Sequence, residues 1–140
     1  MKPLLTIIIL CVLSSTYAQK SQKQIDREKN KVDTLYTVEE RANIGLWMHD
    51  QVKTMNLSEE KEDEYYRIML SDVYDLQRLD DKDKDYTPEE RQEKFEAIVD
   101  RMNSKIKAIL TPEQYQKHID AFNQILRSVY KKANWVWNKD

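Results

Sequence analysis

This sequence predicts an all-α fold, with four main helices in an elongated, bent helical-hairpin arrangement. Three observations carry that expectation. The first is a start signal that occurs four times: an apolar residue, a hydroxyl N-cap, and a Glu two positions past the cap. It reads Tyr36-Thr37-Val38-Glu39-Glu40, Leu57-Ser58-Glu59-Glu60-Lys61, Tyr86-Thr87-Pro88-Glu89-Glu90 and Leu110-Thr111-Pro112-Glu113-Gln114. The second is the recurrence of apolar residues at steps of three and four after each start. The third is the lack of strand and turn punctuation, with a single glycine, Gly45, in 140 residues.

Ahead of the helices, Lys2, the apolar run 4–13 and the small-residue stretch 14–18 have the charged, hydrophobic and cleavable regions of a secretory signal peptide. Cleavage after Ala18 exposes Gln19. The apolar run is too short to span a bilayer, and no later stretch reaches the roughly 20 apolar residues a membrane helix needs, so no stable membrane insertion is expected. The sole cysteine, Cys11, lies inside the signal, which sends a thiol-free chain into an oxidising compartment. Loss of Lys2 leaves 22 basic residues against 25 acidic, a net charge of −3, and a mildly acidic chain of this kind is not expected to bind nucleic acid.

Residues 19–35 are polar and lysine-rich, with only Ile25, Val32 and Leu35 apolar, and read as a flexible or fraying arm, with a docked extra helix as the lesser alternative. Residues 36–140 then form a single helical domain. Its first helix, about 38–55, aligns Ile44, Met48, Val52 and Met55. The second, about 58–79, places Tyr65, Ile68, Met69, Val73, Leu76 and Leu79 at helical spacing and ends in the charged run 80–85. The third, about 88–110, carries Phe95, Val99, Met102, Ile106 and Ile109. The fourth, about 112–137, carries Tyr115, Ile119, Phe122, Leu126, Val129, Ala133 and Val136. The last two alternate steps of four and three, a heptad seam that favours long hairpins or a coiled-coil dimer. The starts are also paired: Tyr36 to Tyr86 is 50 residues and Leu57 to Leu110 is 53, which predicts two similar helical halves.

The start at 110–114 is the fullest. Thr111 is the N-cap and Gln114 at N3 can return a bond to it, completing a capping box. Pro112 suits N1, Glu113 complements the helix dipole, and Leu110 can staple onto Tyr115. In the start at 57–61, Ser58 remains a competent cap but Lys61 cannot complete the box and opposes the dipole.

Catalysis is not expected. With no mature thiol, two distant histidines and serines used as caps or helix surface, neither a nucleophile with its base nor a phosphate cradle can be assembled. Nor is a metal site or cofactor: His49 with Asp50 and His118 with Asp120 lack the three or four convergent ligands a zinc centre needs, and both histidines read as solvated surface residues.

Leu110-Thr111-Pro112-Glu113-Gln114 matches in full the LTxxQ motif of the Spy/CpxP family of periplasmic chaperones and envelope-stress proteins. Leu57-Ser58-Glu59-Glu60-Lys61 resembles its weaker upstream copy, with Ser58 for Thr and Lys61 for Gln. The order of signal, first motif, charged middle helix and second motif before a long C-terminal helix is also similar, over roughly residues 55–126. The resemblance implies an all-α protomer that pairs as an antiparallel homodimer. It implies a periplasmic, ATP-independent chaperone whose partners are unfolded or aggregation-prone clients during envelope stress. The alternative that it implies is a regulatory subunit without holdase activity that contacts a membrane sensor kinase or binds metal. In that reading Leu57, Ser58, Leu110, Thr111, Pro112, Glu113 and Gln114 are architectural caps, not contacts. Candidate client contacts are the large apolar groups that the expected core does not use: Trp47, Met48, Tyr66, Tyr74, Trp135 and Trp137.

Overall fold

The computed structural model describes residues 35–138 and, before them, Ile25 and Lys29, both helical. The expected signal, 1–18, lies outside the described residues, as does the arm at 19–35 apart from Ile25, Lys29 and Leu35. The four capped helices belong to the unit Lys31–Asp140.

Beyond Ile25 and Lys29, the described residues form four helices and no strands, so the fold is all-α. Helix α1 spans Val38–Lys53, α2 Glu59–Gln77, α3 Pro88–Ile109 and α4 Pro112–Ala133. Their N-caps are Thr37, Ser58, Thr87 and Thr111. Thr37, Thr87 and Thr111 each form a two-way capping box with Glu40, Glu90 and Gln114. Ser58 only accepts, from the Lys61 amide at 3.4 Å.

The Gln at 114 does what a Glu cannot. Its Oε1 accepts from the Thr111 amide at 3.1 Å, while its Nε2 donates to the Met55 carbonyl at 3.3 Å, in the turn that ends α1. Lys117 adds a bond from Nζ to the Thr54 carbonyl at 3.0 Å. The last carbonyls of a helix have no partner within it, so the start of α4 satisfies the end of α1. Gln114→Glu keeps the capping box but loses the donor, and should cost roughly 1 kcal/mol. Glu90→Gln at the matching position of α3 should cost less than half of that. Urea unfolding of the two variants checks the difference.

Helices that follow one another in the chain do not all pack together. α2 lies along α3, α1 along α4, and α3 meets α4, whereas α1 and α2 do not form a packed pair. The halves expected to be similar therefore differ. α3 turns into α4 through Leu110 and Thr111, both in extended conformation, and the two are joined across their length by Asn103 to His118 and Glu96 to Tyr130. α1 instead turns through Asn56, whose φ of 51° is in the left-handed region that Asn tolerates, and the helices diverge from there.

The heptad residues Phe95, Val99, Met102 and Ile106 of α3 are buried together with Phe122, Leu126 and Val129 of α4 in one core. Both seams are thus covered within the chain and need no second copy to bury them. That core also takes in Met48, Val52, Met55, Tyr65 and Met69.

The fourth helix is shorter than expected, ending at Ala133 and not near 137. Asn134 adopts φ 59°, its amide bonds to the Lys131 carbonyl, and the Trp135 amide bonds back to the Tyr130 carbonyl at 2.9 Å. This is a Schellman ending, with the Trp135 ring against Tyr130 as its apolar contact. Val136, expected on the seam, lies beyond that ending and is exposed.

Candidate functional site

The divergence of α1 and α2 leaves a cleft of about 460 Å³ between them. Ile44, Gly45 and Met48 form the α1 wall, and Tyr66, Met69, Leu70, Val73 and Leu76 the α2 wall. Phe122, Ile125, Leu126 and Val129 of α4, with Phe95 of α3, make the floor. Polar groups stand at the ends. Arg41 of α1, Gln77 and Asp80 mark the mouth; His49, Tyr65 and Tyr66 mark the end nearer the turn at Asn56. A cavity of this size and lining falls within the range of apolar binding pockets.

The closed end is held by two hydrogen-bonded pairs. Tyr66 Oη and His49 Nδ1 are 2.7 Å apart and tie α2 to α1. Beneath them, Tyr65 Oη is 2.9 Å from His118 Nδ1, and His118 Nε2 is 3.0 Å from Asn103 Oδ1, so α2, α4 and α3 meet at one imidazole. An amide oxygen at Nε2 requires the proton there, which leaves Nδ1 to accept from the Tyr65 hydroxyl. The ring is stacked between Phe122 and Tyr115.

His118 is thus not the solvated residue expected from the sequence but a fully buried one. Burial pulls it down to about 4 from 6.5, because no carboxylate is placed to hold its charge. Burial likewise pushes the Tyr65 hydroxyl well up. The sequence does contain a signal for this: His118 shares the apolar face of Tyr115 and Phe122, at steps of three and four.

Of the six candidate contact residues, the cleft brings together Met48 and Tyr66. Trp47 is half-buried against the core, and Tyr74 is partly exposed on α2 outside the cleft lining. Trp135 and Trp137 lie past the end of α4, packed on the Tyr130 ring at 5.5 and 5.1 Å. Trp135 also meets Phe95, and Trp137 meets the Arg127 guanidinium. On its walls, the cleft residues that the sequence pattern assigned to the core or passed over include Ile44, Gly45, Met69, Leu70, Val73 and Leu76. Their positions are ordinary core or surface positions along a helix, and only the divergence of the two helices brings them to the lining of one space.

Among the described residues no three His, Cys, Asp or Glu side chains are grouped to hold a metal, and no helix is long and apolar enough to cross a membrane. The described residues form a small all-α bundle with an open cleft between α1 and α2. Comparison with protein-family models, with curated proteins and with solved structures finds no match to the chain.

Proposed function

We propose that this chain is an exported, ATP-independent chaperone-like protein of the Spy/CpxP kind, which holds apolar segments of unfolded clients in the cleft between α1 and α2. The observation that carries this reading is the cleft itself, an apolar space between α1 and α2 in a bundle where α2 packs on α3, α3 on α4 and α4 on α1. Met48 and Met69 line its two walls, and unbranched thioether side chains adapt to clients of different shape. Leu70 on its rim is 69% exposed, an apolar side chain that the chain's own packing leaves unused. The motif at 110–114 supports the reading through architecture: it joins α4 to the end of α1 and so fixes one wall of the cleft to its floor.

The exported chain at stoichiometric amounts should slow light scattering by a reduced or heat-unfolded client. Leu70→Glu, at an exposed site, should leave helicity and melting unchanged and abolish that protection. If the unaltered chain protects no client, the chaperone reading fails in favour of the regulatory alternative. If Leu70→Glu protects as well as the parent, the cleft is not where clients are held.

A further inference from the structure

Gly45 is the only glycine in the chain, and it sits inside α1, where glycine costs about 1 kcal/mol relative to alanine. Two reasons for a glycine are excluded at this position. Its φ is not positive, and a Cβ built there would meet nothing within 4 Å. Neither backbone conformation nor packing among the described residues requires it. It lies on the cleft wall, so the bare stretch of α1 faces the space where an occupant would sit.

The walls restrict what that occupant can be. Between the polar groups of the mouth and those of the closed end, the lining is aliphatic and aromatic. At the closed end, Tyr66 is bonded to His49 and Tyr65 to His118. The Tyr36 hydroxyl, buried without a partner in the lining, could receive one backbone group, but an extended peptide would bury many more amides and carbonyls than that, whereas a helix satisfies its own. The wall from Tyr66 to Leu76 corresponds to about 15 Å of helix rise, enough for roughly three turns of a docked helix. A helix backbone approaches another closely where one of them lacks a side chain, which is what Gly45 offers.

Charge narrows the class further. The first half of α2 carries Glu59, Glu60, Glu62, Asp63 and Glu64 against Lys61 and Arg67. Burial raises the Tyr66 hydroxyl and the charge of Glu62 raises it further, which places negative charge beside the closed end of the cleft.

We propose that the cleft between α1 and α2 receives the apolar face of a basic amphipathic helix, seated against the bare backbone at Gly45, so that clients are held as helices and not as extended chains. This rests on the reading of the cleft as the client site and specifies its ligand. The seated helix completes the bundle by standing where α1 and α2 fail to meet, with leucine-like anchors at i, i+3, i+4 and i+7 and its cations toward the acidic part of α2.

The test uses the exported chain and three synthetic peptides of about 18 residues, five turns if helical. One places leucines at helical spacing among lysines, the second has the same composition in strict alternation, and the third replaces lysine by glutamate in the helical pattern. Titration calorimetry should show binding of the first and binding roughly tenfold weaker or worse for the other two. Gly45→Leu should melt no lower than the parent and lose roughly tenfold or more in affinity for the first peptide. Gly45→Ala should fall between the two. Equal binding of the alternating peptide, unchanged affinity in Gly45→Leu, or binding of decanoate with no binding of the helical peptide would each overturn the proposal. Protection of clients, measured on the same samples, separates the two readings. A chain that protects clients but fails the peptide test remains a chaperone that does not select helices, and a chain that fails both is not one.

Discussion

Between pH 7 and pH 4 the chain should lose about 3 kcal/mol of stability through His118 alone. Folded His118 titrates near 4 against 6.5 for an unburied imidazole, so between these values the unfolded chain takes up a proton that the folded chain refuses. The contribution is intact above about pH 7, falls as the pH drops through 6.5, and levels off below 4. The groups that face the ring explain why the proton is refused. From α2 there is the Tyr65 hydroxyl, from α3 the Asn103 amide, and from α4 itself the rings of Tyr115 and Phe122. None is anionic. Protonated, the ring would have to donate from both nitrogens in a site built for one donor and one acceptor. His118→Gln keeps polar atoms there but cannot titrate. It should be less stable than the parent at pH 7, because the stacking is lost, yet its further loss on going to pH 4 should be smaller by about 3 kcal/mol. Urea unfolding followed by circular dichroism at the two pH values gives both numbers. Parallel losses in parent and variant would show that His118 does not set the acid sensitivity.

The second large effect is expected at Asp72, whose fully buried carboxylate accepts from Arg101 Nε at 3.0 Å and from Lys105 Nζ at 3.0 Å. Arg101 reaches on to Asp75 at 2.7 Å, so one guanidinium bridges two carboxylates a turn apart on α2. The exposure of the partners is unequal, and so the costs of removing them should be unequal too. The Arg101 and Lys105 side chains are 46% and 44% exposed, whereas that of Asp72 is not exposed at all. When Asp72→Ala removes the acid, both cations turn into water, and the cost should be about 1–2 kcal/mol. When Arg101→Met and Lys105→Met together remove the cations, a carboxylate stays buried with no counter-charge, and the cost should be about 3–5 kcal/mol. Combining all three substitutions should recover much of that loss. If urea unfolding finds Asp72→Ala the more damaging change, the attraction within this cluster exceeds the desolvation cost of its acid.

The parts of this protein that could be read in its sequence are those set by neighbours within a helical turn. Each of the four N-caps is the residue the pattern indicated, because a cap is a bond between residues three apart and depends on little else. The seam residues Phe95, Val99, Met102, Ile106, Phe122, Leu126 and Val129 were legible for the same reason. The end of α4 was less so. Apolar spacing runs on through Val136, but an Asn at 134 can take the left-handed conformation, and Tyr130 offers its ring to Trp135. That choice between continuing and turning back is made by the aromatic cluster with Phe95, which lies far away in the sequence.

The start signal at 57–61 shows the same division. Its missing return bond follows from Lys61 being a donor and not an acceptor, a fact of side-chain chemistry. That Gln114 also holds the Met55 carbonyl, 59 residues away, does not follow from the motif. The burial of Asp72 and His118 is half legible: each shares an apolar face, with Tyr65, Met69 and Leu76 or with Tyr115 and Phe122, but the partners that let a polar group be buried there, Arg101 and Lys105 or Asn103, come from another helix.

By itself, then, the sequence determined that the chain is helical, where its helices begin and which face of each is apolar, because propensity, capping and period act over three or four residues. Only the tertiary structure decided which helices pack, that His118 and Asp72 are sealed inside, and that α1 and α2 part to leave a cleft beside Gly45. Those outcomes depend on the angle at which one helix leaves the next, and a small rotation at Asn56 swings the far end of a helix without changing any local signal.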